Sequence, residues 1–134
     1  MNDRIEKEYF LNAPIHKVWN AISLEKEINE WFIQADFKAE VGYQYTFTHE
    51  STRVTGEVLE VNPVYDLVYT WIVGGTTEVT TVRWSLESKA DGTMLKINHW
   101  GFSNYPKDSA VAMFDSSVEG WDAVSNWLKE YIKN

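Results

Sequence analysis

The sequence predicts an α+β fold in which about six or seven antiparallel strands curve around one long C-terminal helix, with two short helices after the first strand. Three observations carry that reading. Between residues 43 and 99, apolar and polar side chains alternate with period two, interrupted by turn residues. From near Asp108 onward the apolar positions are Val111, Phe114, Val118, Trp121, Val124, Leu128 and Ile132, three or four residues apart, which makes one stripe of an amphipathic helix. Ahead of the alternating region lies a short stretch whose apolar residues have helical spacing.

Taken in order, "RIEKEYFLN" reads as the first strand, with Ile5, Tyr9, Phe10 and Leu11 among charges. In "APIHKVWNAI", Asn12 can cap, Pro14 suits a first helical turn, and Ile15, Val18, Trp19 and Ile22 share a face. Ser23 then restarts a second helix, "LEKEINEWF", with Leu24, Ile28 and Trp31 on one side. "FKAEVG" and "YQYTFTHE" follow as strands. In the latter Tyr43, Tyr45, Phe47 and His49 alternate with Gln44, Thr46 and Thr48. "TRVTGEVLEV" is a strand in which Gly56 marks a bulge or a close approach of backbones. "DLVYTWIV" places Leu67, Tyr69, Trp71 and Val73 on one face, and Gly74-Gly75 signals a hairpin. "EVTTVRWSLES" puts Glu78, Thr80, Val82, Trp84 and Leu86 on one parity, and after "ADG" the strand "TMLKINHWGF" does the same for Leu95, Ile97 and His99. Gly120 falls inside the long helix, where it costs about 1 kcal/mol relative to alanine and allows a bend or a close approach to the sheet. No linker or repeat divides the chain, so residues 1–134 are expected to form a single domain.

Composition narrows the function. The net charge is −8, which repels polyanions, so neither nucleic acid nor an anionic membrane surface is an expected partner. There is no cysteine, which excludes disulfides, thiolate metal sites and a cysteine nucleophile. The start mixes both charge signs with no long apolar run, and no stretch has the roughly 20 apolar residues of a membrane helix. Cytoplasmic location is the expectation. The three histidines are scattered without a metal-ligand spacing, and neither a phosphate loop nor a nucleophile elbow occurs, so no metal, cofactor or catalytic set is expected. Aromatic residues make up 15%, with seven tryptophans. So many large rings need a generous core or a space to line.

Several blocks resemble one family across nearly the whole length: "APIHKVWNAIS" with the "EWF" that follows it, "GEVLEVNP", "LVYTW", "GTMLKINHWGF" and "EGWDAVSNWLKEYI". These resemble the START-like (SRPBCC) superfamily with its helix-grip fold, and within it bacterial single-domain proteins related to the C-terminal domain of the heat-shock-protein-90 ATPase activator. A Gly-Gly pair that the family often has before "VGYQYTF" is reduced here to Gly42. The resemblance implies an internal cavity for a hydrophobic small molecule. The full-length chaperone activators have a separate N-terminal domain with no counterpart in this sequence, so a chaperone partner is not expected. Some superfamily members are enzymes, and fold alone does not decide between these roles.

The candidate site is the concave ring-bearing parity: Tyr45, Phe47, Tyr69, Trp71 and Trp84, faced by Trp121 from the long helix. Its expected occupant is a small apolar or aromatic molecule, oriented by His99 and by Glu78 at the cavity mouth. His99 has two readings. It is a polar anchor or general acid/base, as in a polyketide cyclase or dehydratase-like enzyme, or a core histidine satisfied by hydrogen bonds. The second is favoured, because catalysis needs a partner that the sequence does not place. For Glu78 a solvated strand end is the simpler alternative. A cochaperone-like interaction module is a third functional reading. Trp19 and Trp31 should pin the short helices. Trp127 with Tyr131 should form an exposed apolar patch and so a possible homodimer contact.

Overall fold

The computed structural model describes residues 3–133. Its elements are β1 (Arg4–Leu11), α1 (Ile15–Ser23), α2 (Glu25–Trp31), β2 (Gln34–Asp36), β3 (Gln44–His49), β4 (Thr52–Asn62), β5 (Asp66–Val73), β6 (Thr80–Lys89), β7 (Gly92–Trp100), a 3-10 turn (Phe102–Asn104) and α3 (Lys107–Ile132). The strands form one sheet in the order β1-β7-β6-β5-β4-β3-β2. Neighbours pair antiparallel throughout. This is the helix-grip arrangement: a meander from β2 to β7, closed at one edge by β1, with α3 laid against the inner face.

Alternation along each strand sets that inner face. Ile5, Val54, Val58, Leu67, Tyr69, Val82, Trp84, Leu95 and Ile97 are all buried, and on α3 so are Trp121, Val124, Leu128 and Ile132. Burying one such aliphatic or aromatic side chain is worth about 1.5–3 kcal/mol, so the two stripes hold helix and sheet together. In β4 the register shifts between Val58 and Glu60, so Leu59 is an extra residue opposite β5. Such a bulge bends its strand and increases the twist, which helps the sheet cup the helix.

Gly56 lies a few residues before that bulge and plays the other role anticipated for it. A Cβ there would lie 2.0 Å from the Thr70 carbonyl oxygen and 2.7 Å from the Tyr45 ring. The missing side chain leaves room for Tyr45, its β3 partner in register, to lie across β4.

Four local expectations are corrected. "FKAEVG" is not a strand: β2 is the preceding Gln34–Asp36, and the Phe37 amide donates to Glu25 Oε1 at 2.9 Å instead of to a ladder. Asn12 caps nothing. The residue before the first helical turn of α1 is Pro14, in extended conformation, with no side-chain cap. Ser23 does not start α2. It ends α1, its hydroxyl donating to the Trp19 carbonyl at 2.6 Å, and Leu24 turns the chain into α2. Gly120 does not interrupt α3, which runs unbroken over 26 residues, and does not meet the sheet, since a Cβ there would have nothing within 4 Å.

Candidate functional site

The inner face carries a continuous body of rings. At the β3–β5 end, Tyr45 and Phe47 have centroids 4.6 Å apart, and Tyr45 and Tyr69 5.0 Å apart. Phe37 packs within 5.9 Å of both Tyr45 and Phe47 and reaches Tyr69 at 5.8 Å. Polar atoms in this group are satisfied from within. The Tyr45 hydroxyl donates to the Thr70 carbonyl, and Trp84 Nε1 donates to the Tyr69 hydroxyl at 2.8 Å. Burial raises both tyrosine hydroxyls well above their ordinary range, so both stay neutral.

Toward β6, β7 and α3 the body continues through Trp71, which lies 5.5 Å from Trp121 and 5.8 Å from His99. Trp84 meets Trp121 edge-on at 5.6 Å. His99 is 1% exposed and both its nitrogens are engaged. Trp121 Nε1 donates to His99 Nδ1 at 3.0 Å. An indole can only donate, so Nδ1 is the acceptor and the proton sits on Nε2, which donates to Thr80 Oγ1 at 2.7 Å. Thr80 Oγ1 in turn donates to the Trp71 carbonyl at 3.1 Å. The chain of donors therefore runs one way, from α3 through β7 and β6 to β5. Burial pushes the His99 pKa down to about 3, so the ring is neutral in the tautomer that this chain requires.

Tyr45, Phe47, Tyr69, Trp84, His99 and Trp121 are thus brought together and buried, with Trp71 half-buried at their edge. Glu78 stands apart. β6 begins at Thr80, so the parity taken to reach Glu78 ends before it, and its carboxylate accepts from Thr77 Oγ1 in the connecting loop at 3.0 Å. Tyr131 is not part of an outward patch with Trp127. Its ring stacks on Trp31 at 6.5 Å and its hydroxyl faces Glu27 and Glu30 of α2, which leaves Trp127 48% exposed without it. Trp31 ties α2 to α1 by donating to the Ala21 carbonyl at 2.7 Å. The sequence reading missed Phe32, Phe37 and Phe102 as members of the ring body. Phe37 lies in an irregular segment where alternation gives no signal. Phe102 follows Gly101, whose φ of 102° turns the chain back under His99.

A run of ring contacts leads from Phe32 through Phe47, Trp71, His99 and Phe102 to Phe114. Phe47, His99 and Phe102 are sealed, whereas Phe32, Trp71 and Phe114 are only half-buried, so the run reaches the surface at both ends and in the middle. Two clefts lie elsewhere. One of about 490 Å³ opens between residues 12–16 and 88–92, and one of about 150 Å³ lies beside Phe10, Lys129 and Ile132. No ring of the run lines either.

The sequence pattern of the activator of Hsp90 ATPase homolog 1-like proteins matches residues 12–133. The chain belongs to that family. Among solved structures it is similar to protein MLL2253 from Mesorhizobium loti, at 24% identity and a TM-score of 0.87 over 97% of this chain and 96% of the other. BH1534 from Bacillus halodurans is 26% identical, with a TM-score of 0.78 over 97% and 99%. DynU16, from the dynemicin biosynthetic locus, is 20% identical with a TM-score of 0.87; all of this chain matches 48% of that one. The comparison with curated proteins found no match. These likenesses establish the START-like fold of this family member. Among its described residues no helix is long and apolar enough to cross a membrane.

Proposed function

We propose that this family member is a non-catalytic binding protein that takes up a small apolar or aromatic molecule between α3 and the sheet. The observation that carries the reading is the ring run that is sealed at Phe47, His99 and Phe102 yet open to solvent at Phe32, Trp71 and Phe114. Apolar surface left half-exposed along a concave face is what a hydrophobic guest would cover. The rings touch one another, so a guest enters by parting Phe114 and Trp71 from their neighbours. The gene of DynU16 lies in a biosynthetic locus, a setting in keeping with a small-molecule role for this fold. The acid/base alternative finds less support. Both nitrogens of His99 are committed to protein partners, and no titratable group is among those partners. A cytoplasmic setting suits a chain without cysteine.

The test is a panel of polycyclic aromatics, sterols and fatty acids read by thermal shift and by intrinsic tryptophan fluorescence. Since a ligand that binds only the folded state stabilises by about 2.7 kcal/mol at 100 times its Kd, a true guest should raise Tm by several degrees. It should also change the emission of Trp71 and Trp121. A panel in which nothing moves either signal would end the proposal.

A further inference from the structure

The indole N–H groups of this protein divide into satisfied and free. Trp31, Trp84 and Trp121 each donate to an internal acceptor, at 2.7, 2.8 and 3.0 Å. Trp71 is different. Its ring is held by Phe47, Tyr69, His99 and Trp121, and its carbonyl accepts from Thr80. Yet among the described residues no group accepts from its Nε1. Among the described residues no buried side-chain nitrogen or oxygen lacks a partner, so this N–H reaches solvent. Trp19, Trp100 and Trp127 share that state, but none of them belongs to a ring contact of the run. Trp71 is thus a half-buried ring held by four other rings, with its one donor left to solvent.

We infer that Trp71 is the specificity-determining residue of the site. Its Nε1–H selects a flat, neutral aromatic molecule that carries a hydrogen-bond acceptor such as a ketone or quinone carbonyl. The inference rests on the binding reading above and narrows it. A guest without an acceptor would cover this N–H and leave it unpaired in an apolar setting, which is unfavourable. A carboxylate or other anion is disfavoured, because the four rings that hold Trp71 offer no positive charge and the chain as a whole carries −8.

The pair 9-fluorenone and fluorene isolates the carbonyl, since the two share shape and ring area. Affinities are taken from ligand-detected NMR titrations, and the 15N-labelled indole resonances of the protein are followed in the same experiments. The Trp71→Phe variant assigns the Trp71 signal and removes its donor while keeping an aromatic ring. Wild type should bind fluorenone about five-fold more tightly than fluorene, the worth of one hydrogen bond. The Trp71 indole proton should move downfield with fluorenone only, and Trp71→Phe should bind both equally. Equal binding of the two by wild type, or a preference that survives in Trp71→Phe, would overturn the role of Trp71 and leave the binding site standing. If fluorene and fluorenone both fail to bind, and the wider panel also fails, the binding reading falls and takes this inference with it.

Discussion

The two halves of α3 lie against the same sheet but are held to it by different means. The second half buries Trp121, Val124, Leu128 and Ile132. It is also tied by polar contacts to three other elements. Asp122 accepts from Tyr9 at 2.7 Å and pairs with Lys7 at 3.4 Å on β1; Lys17 of α1 donates to the Ile132 carbonyl at 2.7 Å; and Tyr131 donates to the carboxylates of α2. Burial and the Asp122 carboxylate raise the Tyr9 hydroxyl to about 12, which keeps it a donor at any ordinary pH. The first half, up to Glu119, buries only Ala110. Met113, Phe114 and Val118 are half-covered and Val111 is 54% exposed. Among the described residues no side chain from 107 to 119 makes a hydrogen bond or ion pair to another element. One helix is therefore firmly anchored at one end and lightly held at the other, where on the binding reading it would act as a cover. Uneven stability of this kind is where binding elements are usually found.

The strongest way to break that contrast is to truncate one apolar residue in each half. Leu128→Ala removes a side chain that is 0% exposed and should cost about 3 kcal/mol, from lost burial and the cavity left behind. Val111→Ala should change stability by less than about 0.5 kcal/mol. Urea denaturation at pH 7 measures both. Comparable losses would mean that the first half is as firmly seated as the second.

His99 sits where the halves meet, bonded to Trp121, and its titration provides the next test. Its folded pKa of about 3 lies below the unfolded 6.5. Between those values the unfolded chain binds the extra proton, so stability rises with pH. Its contribution is complete above 6.5 and is lost as pH falls toward 3. Between pH 6.5 and 5 the loss should be about 2 kcal/mol, and His99→Gln should lack that part of the slope. The other titrating groups are common to both proteins and cancel in the difference. An independent check is the His99 ring resonance, which should not shift between pH 7 and 4.5. A midpoint near 6 would mean that water reaches Nδ1 and that the Trp121 contact opens readily.

How much of this could be read in advance follows from the physics of each part. Alternation with period two placed Tyr45, Phe47, Tyr69, Trp71, Trp84 and His99 on the inner face, because strand geometry ties parity to side. The helical stripe likewise ended at the residue where α3 ends. The same rule failed at Glu78, because the chain leaves the ladder at Gly74 and parity means nothing in a loop. It failed again at Phe37, which lies outside any strand, with its amide held by Glu25 twelve positions away and its ring packed on Tyr45, Phe47 and Tyr69. Gly56 could be marked as special, but only the Tyr45 ring crossing it shows why. The difference between the halves of α3 was not legible at all. Val111 and Leu128 are equal members of one stripe, and only the neighbours brought up by β1, α1 and α2 distinguish them.

The smallest expected effect concerns Gly120, at the boundary between the halves. A methyl group there would meet nothing within 4 Å, so Gly120→Ala carries no steric cost and removes the entropic penalty of a glycine in a helix. The gain should be about 1 kcal/mol, or about 4 °C in Tm. Where that gain appears decides how separate the halves are. If α3 unfolds only with the whole domain, Tm rises by the full amount and amide exchange slows evenly along the helix. If the first half opens on its own while residue 120 stays helical, the amides around Leu128, which exchange only through global unfolding, slow by the full amount while exchange at residues 107–119 is unchanged. The second pattern is the expected one, because among the described residues Phe114 on Phe102 is the only ring contact made by the first half, and one such pair is worth about 1 kcal/mol beyond its buried area. An even slowing along all of α3 would show instead that the cover is seated as firmly as the anchor, and a guest would then need another way in.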